Sequence, residues 1–300
     1  MKYKKTVIIL SILCFAAACF ISGIDSYADF SGGDTAKTGS VAGSESSTEN
    51  EKDISLSDSR NAADEKQGLV SLKRKLKKEL SGRSGSWSVY VKRLDTNEYM
   101  LINDRRLPSA SLIKLYVMMT VFNEQKEGTL KRSSIINDRL KKMITVSDNE
   151  AANSLTTALS KNNTFKAGTK RINSYCKENG YTKTRFLVSM GKSSPKNVTS
   201  ARDCGTALER MYRNTCVDRK SSKKMIKLLK AQTRRNKIPF GLPKKVVTAN
   251  KTGETYFSEN DAAIVYSKGA DYVIVVMSKN GRDSIAEIRR LSRIVYDYFN

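Results

Sequence analysis

The chain has 300 residues, 54 of them Lys or Arg against 30 Asp or Glu, and it contains no histidine. Without imidazole there is no Ser-His-Asp or Cys-His nucleophile pair, no histidine metal ligand and no histidine-held haem, so hydrolytic chemistry must take its proton acceptor from Lys, a carboxylate, Tyr or an amine. Apolar residues at 39% and charged residues at 28% describe a globular protein with enough chain for a real core, though a very basic one at +24 net.

The first 28 residues read as an export signal. Lys2, Lys4 and Lys5 open it, and an apolar run follows from Thr6 to about Ile24. Ser26-Tyr27-Ala28 then puts small residues at the two positions a signal peptidase reads, with cleavage before Asp29. The alternative is an uncleaved membrane anchor, for which the apolar run is nearly long enough. Residues 29–66 are Ser, Gly, Asp and Glu with few large apolar side chains. Such a segment cannot offset its ordering entropy by burial, and it reads as a disordered acidic linker with nine acids against four bases. Residues 67–300 are left with 47 of the bases and 20 of the acids, a net of +27. A domain so charged is drawn to polyanions. For an exported protein these are anionic cell-wall polymers or a membrane surface. Nucleic acid is not expected, and a solvated basic face without a partner is the bland alternative.

Leu69, Leu72, Leu76 and Leu80 at helical spacing predict a helix over 68–80. Residues 86–93 alternate and, across Asp95-Thr96-Asn97, form a predicted hairpin with 97–102. Helical patterns follow at about 111–125, 136–145, 149–159, 164–179, 200–213 and 219–234. Strands are expected at 246–251, 261–266 and 271–277, and an amphipathic helix at 284–299. The strands are too close in sequence for βαβ crossovers, so the first two must pair with the last three. The expectation is one α+β domain over 67–300: a five-stranded antiparallel sheet flanked by helices, with a helical insertion between strands 2 and 3. Beyond residue 28 only Cys176, Cys204 and Cys216 remain. Cys204 and Cys216 bracket one predicted helix, about 18 Å of rise if it is continuous, too far for a disulfide. No Cys-x-x-Cys zinc spacing occurs; neither a metal nor another cofactor is expected, no internal repeat is visible, and the protein is expected to be a monomer.

When histidine is missing, a lysine beside a serine is the leading catalytic option. Ser followed three residues later by Lys at a helix start puts both on one face, and a desolvated Lys near other cations gives up its proton readily. The pattern alone has little value in so lysine-rich a chain, since it begins at Ser111, Ser174, Ser189, Ser193 and Ser221. Ser111 differs in its company. Ser111-Leu112-Ile113-Lys114 is followed by Ser147-Asp148-Asn149 and then by Lys251-Thr252-Gly253. Taken singly, the second triplet would be a helix cap and the third a strand end.

In that order the three resemble the signature of class A β-lactamases and penicillin-binding proteins, a serine hydrolase family. The likeness extends over Pro108–Lys114, Val146–Asn153 and Asn250–Glu254, and the order of strands and helices agrees from about Leu80 to Asn300. The resemblance implies Ser111 as the acyl-accepting nucleophile, Lys114 as its base, and Ser147 as the relay of a proton to the leaving nitrogen. Asn149 would bind the substrate's side-chain amide, and Lys251 and Thr252 its carboxylate. The backbone N–H groups of Ser111 and Glu254, the latter just after Gly253, would form the oxyanion hole. The Glu254 side chain is expected to be merely exposed, and Asp148 to hold its loop.

Class A enzymes also carry a loop Glu that activates the deacylating water. Here the corresponding stretch, 182–201, contains no Asp or Glu, and the nearest acids are Glu178 and Asp203. The expectation is therefore an exported serine hydrolase acylated by β-lactams or D-Ala-D-Ala-type peptides that turns β-lactams over slowly. Two alternatives stay open: an efficient β-lactamase, and a non-catalytic cell-wall-binding module.

Overall fold

The computed structural model describes residues 69–192 and 195–300; the export signal at 1–28 and the acidic linker at 29–66 lie outside the described residues. Helix α1 (Val70–Leu80) leads into β1 (Ser86–Arg93) and β2 (Tyr99–Ile102). After a two-residue strand β3 (Leu107–Pro108) and a 3-10 turn (Ala110–Ile113) come α2 (Lys114–Lys126), α3 (Ser134–Thr145), α4 (Asn149–Ala158) and α5 (Phe165–Glu178). Strand β4 (Val198–Thr199), α6 (Ala201–Tyr212) and α7 (Arg219–Lys230) complete the insertion. Then β5 (Val247–Thr255), β6 (Ser258–Tyr266) and β7 (Tyr272–Lys279) return to the sheet, and α8 (Ser284–Phe299) closes the chain. Among the described residues no helix is long and apolar enough to cross a membrane.

The fold is α+β, with five antiparallel strands in the order β2-β1-β7-β6-β5. The two halves of the sheet meet at β1 and β7, where Val89 pairs Val276 and Val91 pairs Ile274. Strand β7 is apolar from Tyr272 to Met277 because both faces of the sheet are covered. Ile274 and Val276 pack with Leu72, Leu76, Leu291 and Val295 of α1 and α8. Val273, Val275 and Met277 face the insertion. Alternation along one strand thus feeds two cores.

Helix α2 is the hub of the second core. Residues from Lys114 to Phe122 are buried on every side, which is why its sequence shows no polar stripe. A helix buried all round has no freedom to shift, and its first residue is Lys114.

The structure departs from the expected elements in four places. Strand β5 continues to Thr255 instead of stopping at 251, so Lys251, Thr252 and Gly253 sit within the strand and not at its end, and only Tyr256 and Phe257 separate it from β6. Strand β6 begins at Ser258 and not 261, so polar Asn260 belongs to the sheet beside Asp261, and both are buried and hydrogen-bonded there. Helix α7 stops at Lys230 and not 234, because Gln232 and Thr233 turn away to donate to the Ile144 and Thr145 carbonyls. The two-residue β3–β4 ladder carries no periodic signal, yet it joins the chain before Ser111 to the end of the 182–201 loop. Cys176, Cys204 and Cys216 are buried free thiols, and burial pushes Cys204 and Cys216 up to about 12.

Helices α4 and α5 cross so closely that a Cβ on Gly168 would overlap the Thr156 carbonyl oxygen. Because α4 begins at Asn149, this crossing sets where that residue stands. Gly168→Ala is expected to lower stability by about 1–3 kcal/mol, read from urea denaturation midpoints.

Candidate active site

Three segments converge on one cleft: the turn leading into α2, the turn between α3 and α4, and the middle of β5. The first is strained, with Ala110 at φ 45° just before Ser111. It is clamped from two sides. Asn260 Nδ2 of β6 donates to the Pro108 and Ser109 carbonyls at 3.0 and 3.2 Å, and Ser109 N donates to the Asn197 carbonyl at 2.8 Å. Strand β5 passes so near this turn that a Cβ on Gly253 would stand 2.9 Å from Ser109 O and 3.1 Å from Ser111 N. Glycine at 253 is what allows the strand to bring its backbone against the Ser111 amide.

Lys114 Nζ lies 3.1 Å from Ser111 Oγ. It also donates to the Ser147 carbonyl at 2.6 Å and to Asn149 Oδ1 at 2.7 Å, and it lies 3.3 Å from Ser147 Oγ. Ser147 adopts φ 62°, a left-handed conformation uncommon for a residue with a side chain, and this turns both its carbonyl and its hydroxyl toward the lysine. From the opposite side, Lys251 Nζ donates to Ser147 Oγ at 2.8 Å. Two buried amines therefore flank one hydroxyl. Asp148, next in sequence, accepts from Ala151 N at 2.6 Å and caps α4.

Burial dominates the electrostatics. It pushes Lys114 down to about 7, with Asp148 opposing and Arg234 assisting. Lys251 is held well below the usual lysine range by burial and then by the Lys114 charge, against the pull of Asp261. With a value of about 7, Lys114 is free base in part near neutral pH, beside Ser111.

The cleft measures about 280 Å3 and is lined by Ser111, Ser147 and Asn149 on one side and by Thr252 and Glu254 on another. Sequence reasoning missed the rest of its wall. Met190, Gly191 and Lys192 form one lip, and Arg234 forms the other. Arg234 and the fully buried Lys237 follow α7 without a motif around them, so no local pattern marks them. The Glu254 side chain is exposed, as expected, but it is also ion-paired, with Arg234 at 3.1 Å and Lys237 at 3.0 Å from its two oxygens. Glu259 holds Lys237 from the other side at 2.7 Å.

Neutral amides hold the loop between α5 and β4. Asn153 exchanges two hydrogen bonds with the Met190 backbone and Asn173 two with Phe186. Asn197 binds Leu187 and Val188. Neither acid that flanks the loop reaches the cleft. Asp203 is buried against Thr184 and the Lys183 amide, and Glu178 pairs with Arg171. Among the described residues Glu254 is the one carboxylate lining the cleft, and both its oxygens are engaged.

A family model described as the beta-lactamase enzyme family matches residues 71–137 and 134–299. Among solved structures the chain is similar to PBP-A, with 23% identity, TM-score 0.71, and 78% of this chain and 97% of that one covered. The same figures hold for a leucine-to-glutamate mutant of PBP-A solved as its acyl-enzyme complex with penicillin G. The TLA-1 extended-spectrum β-lactamase follows at 18% identity and TM-score 0.69, covering 77% and 99%. An ancestral Gram-negative class A β-lactamase gives 20% and 0.67, covering 76% and 100%. At such identities the likeness is one of fold. A sequence comparison with curated proteins finds no match.

The two charges facing Lys114 give a paired prediction. Asp148→Asn keeps the cap acceptor but removes the charge that favours the ammonium, so the Lys114 midpoint falls below about 7; Arg234→Gln removes an opposing charge and moves it up. Titration of isotope-labelled lysine by NMR reads both shifts.

Proposed function

The chain belongs to the beta-lactamase enzyme family, and from that premise we propose that Ser111 is acylated by β-lactams and by D-Ala-D-Ala-type cell-wall amides, and that the β-lactam ester is released slowly. The observation that carries the reading is a buried lysine with a value of about 7 placed 3.1 Å from the serine hydroxyl. The acyl-enzyme of the PBP-A mutant with penicillin G makes that compound a suitable probe.

In this reading the substrate carboxylate is held by Thr252 and Lys251, its side-chain amide by Asn149, and its reacting carbonyl oxygen by the N–H groups of Ser111 and Glu254. Neutral Lys114 takes the proton from Ser111 Oγ as the new C–O bond forms. The tetrahedral intermediate collapses by breaking the C–N bond. The nitrogen receives its proton from Ser147, which is resupplied by the amines on either side of it. Deacylation repeats these steps with water as nucleophile, and there the site lacks a part. Glu254 is tied to two cations that hold its carboxyl below the usual range, so it is a poor base. Residues 182–201 supply no other acid. The domain over 67–300 works outside the cytoplasm in this reading, carried there by residues 1–28 and spaced by 29–66. Its basic surface then faces anionic cell-wall polymers or the membrane surface.

One mass spectrum of the protein after penicillin exposure tests the proposal. The expected result is a stoichiometric adduct that persists over minutes and is absent in Ser111→Ala. Many turnovers per second would show an efficient β-lactamase instead, and no adduct on the intact protein would leave a binding module. The acylation rate should rise with pH through a midpoint near 7 and level off above it, because the free base of Lys114 is the reactive form.

The missing base can also be supplied. Met190 lines the cleft on the loop side, and Met190→Glu is expected to speed release of the penicillin adduct by about tenfold or more, followed as decay of the adduct mass.

A further inference from the structure

A second cavity, of about 500 Å3, opens between α2, α3 and α7. That size is typical of a small-molecule pocket, about 300–1,000 Å3. Phe122 and Leu140 form its floor, and Leu228, Ala231 and Thr145 its sides. The Thr145 hydroxyl is spent on the Lys141 carbonyl, so it presents its methyl group. Three exposed lysines, Lys141, Lys224 and Lys227, stand around the opening. No ion pair holds any of them among the described residues, and the nearby acid Asp138 is taken by Lys142 at 2.9 Å.

The gap between α3 and α7 is built into the fold. Beyond the end of α7, Thr233 N and Oγ1 both donate to the Thr145 carbonyl at 2.9 Å, and Gln232 Nε2 donates to the Ile144 carbonyl at 2.8 Å. These ties fix the two helices at their C-terminal ends, so the cavity needs no rearrangement to receive a ligand. Its chemistry is narrow. The walls are helices whose backbone groups are paired internally, so there is no strand edge for an extended peptide. What they offer is an apolar slot with a one-signed charged rim, where lysine stems extend the apolar surface and ammonium groups remain at the top.

We propose that this groove binds a single-chain anionic amphiphile of the fatty-acid class. Its chain lies among Phe122, Leu140 and Leu228, and its carboxylate lies among Lys141, Lys224 and Lys227. The site is independent of the chemistry at Ser111. Binding weakens as salt rises, because the three charges are solvent-facing.

The test is calorimetric titration of the full chain with laurate below its micellar concentration. Saturable one-to-one binding is expected, weakened by about tenfold or more, over 1.4 kcal/mol, in the triple variant Lys141→Glu, Lys224→Glu, Lys227→Glu and again in Leu228→Asp. Both variants should keep the wild-type circular dichroism and penicillin labelling, since none of these residues lies in the cleft. Equal binding by the triple variant would overturn the proposal, as would equally tight binding of dodecyl maltoside, which has the chain without the charge. Adsorption to phosphatidylglycerol vesicles without one-to-one laurate binding also sinks it, and assigns the lysines to general surface charge.

Discussion

Everything in the site depends on two lysine amines facing one serine hydroxyl in a place where water cannot screen them. Lys114 sits at the start of the most deeply buried helix, and Lys251 sits in the middle of a sheet strand, so neither can withdraw. Moving a lysine from its ordinary 10.5 to about 7 penalises its charged form by about 5 kcal/mol. A fold that keeps such a group must give its nitrogen partners. It does so with the Ser147 carbonyl, Asn149 and Ser111 around Lys114, and with Ser147 Oγ and the Thr252 carbonyl around Lys251. Every partner is neutral, so the amines are satisfied without being held in the charged state.

The nearby acids are managed to the same end. Asp148 is close enough to oppose the depression of Lys114, but its carboxylate caps α4. Asp261 is buried on β6, where the Ile238 amide, Asn250 and the Ala262 amide take its oxygens and burial still pushes it up to about 6. Glu254 and Glu259 share Lys237, a third buried lysine placed to absorb their charge. A domain rich in bases thus spends one on neutralising acids beside its own cleft. Net charge describes the surface; the cleft obeys a separate balance of buried groups.

The convergence of Ser111, Lys114 and the second and third motifs on one cleft was legible because each is a short local pattern, and three in order rarely coincide by accident. The strands and helices were legible because burial on one or two faces leaves a period. What stayed hidden depends on contacts between distant segments. Arg234 reaches the cleft because Gln232 and Thr233 bond to the end of α3, and nothing near Arg234 encodes those acceptors. Polar Ser258, Glu259 and Asn260 carry no strand signal ahead of Asp261, and only the completed sheet shows the partners of Asn260. The extra length of β5 is hidden for the same reason, since Thr252, Glu254 and Thr255 are polar and only pairing with β6 extends the strand over them.

The loop without a carboxylate has a physical logic beyond the loss of one step. A carboxylate facing Lys114 would favour its ammonium form and raise it from about 7. That would remove the free base which acylation at neutral pH requires. An enzyme that deacylates through a loop acid must therefore shield that acid from the lysine or give up part of the lysine's basicity. Here Asn153, Asn173 and Asn197 fix the part of the loop nearest the cleft with neutral amides, and the Asp203 carboxylate is spent at Lys183 and Thr184, away from it. The loop keeps its shape and the lysine keeps its low value together. In the proposed reaction, acylation at neutral pH and slow release are then two consequences of one electrostatic choice, made where the loop passes over α4.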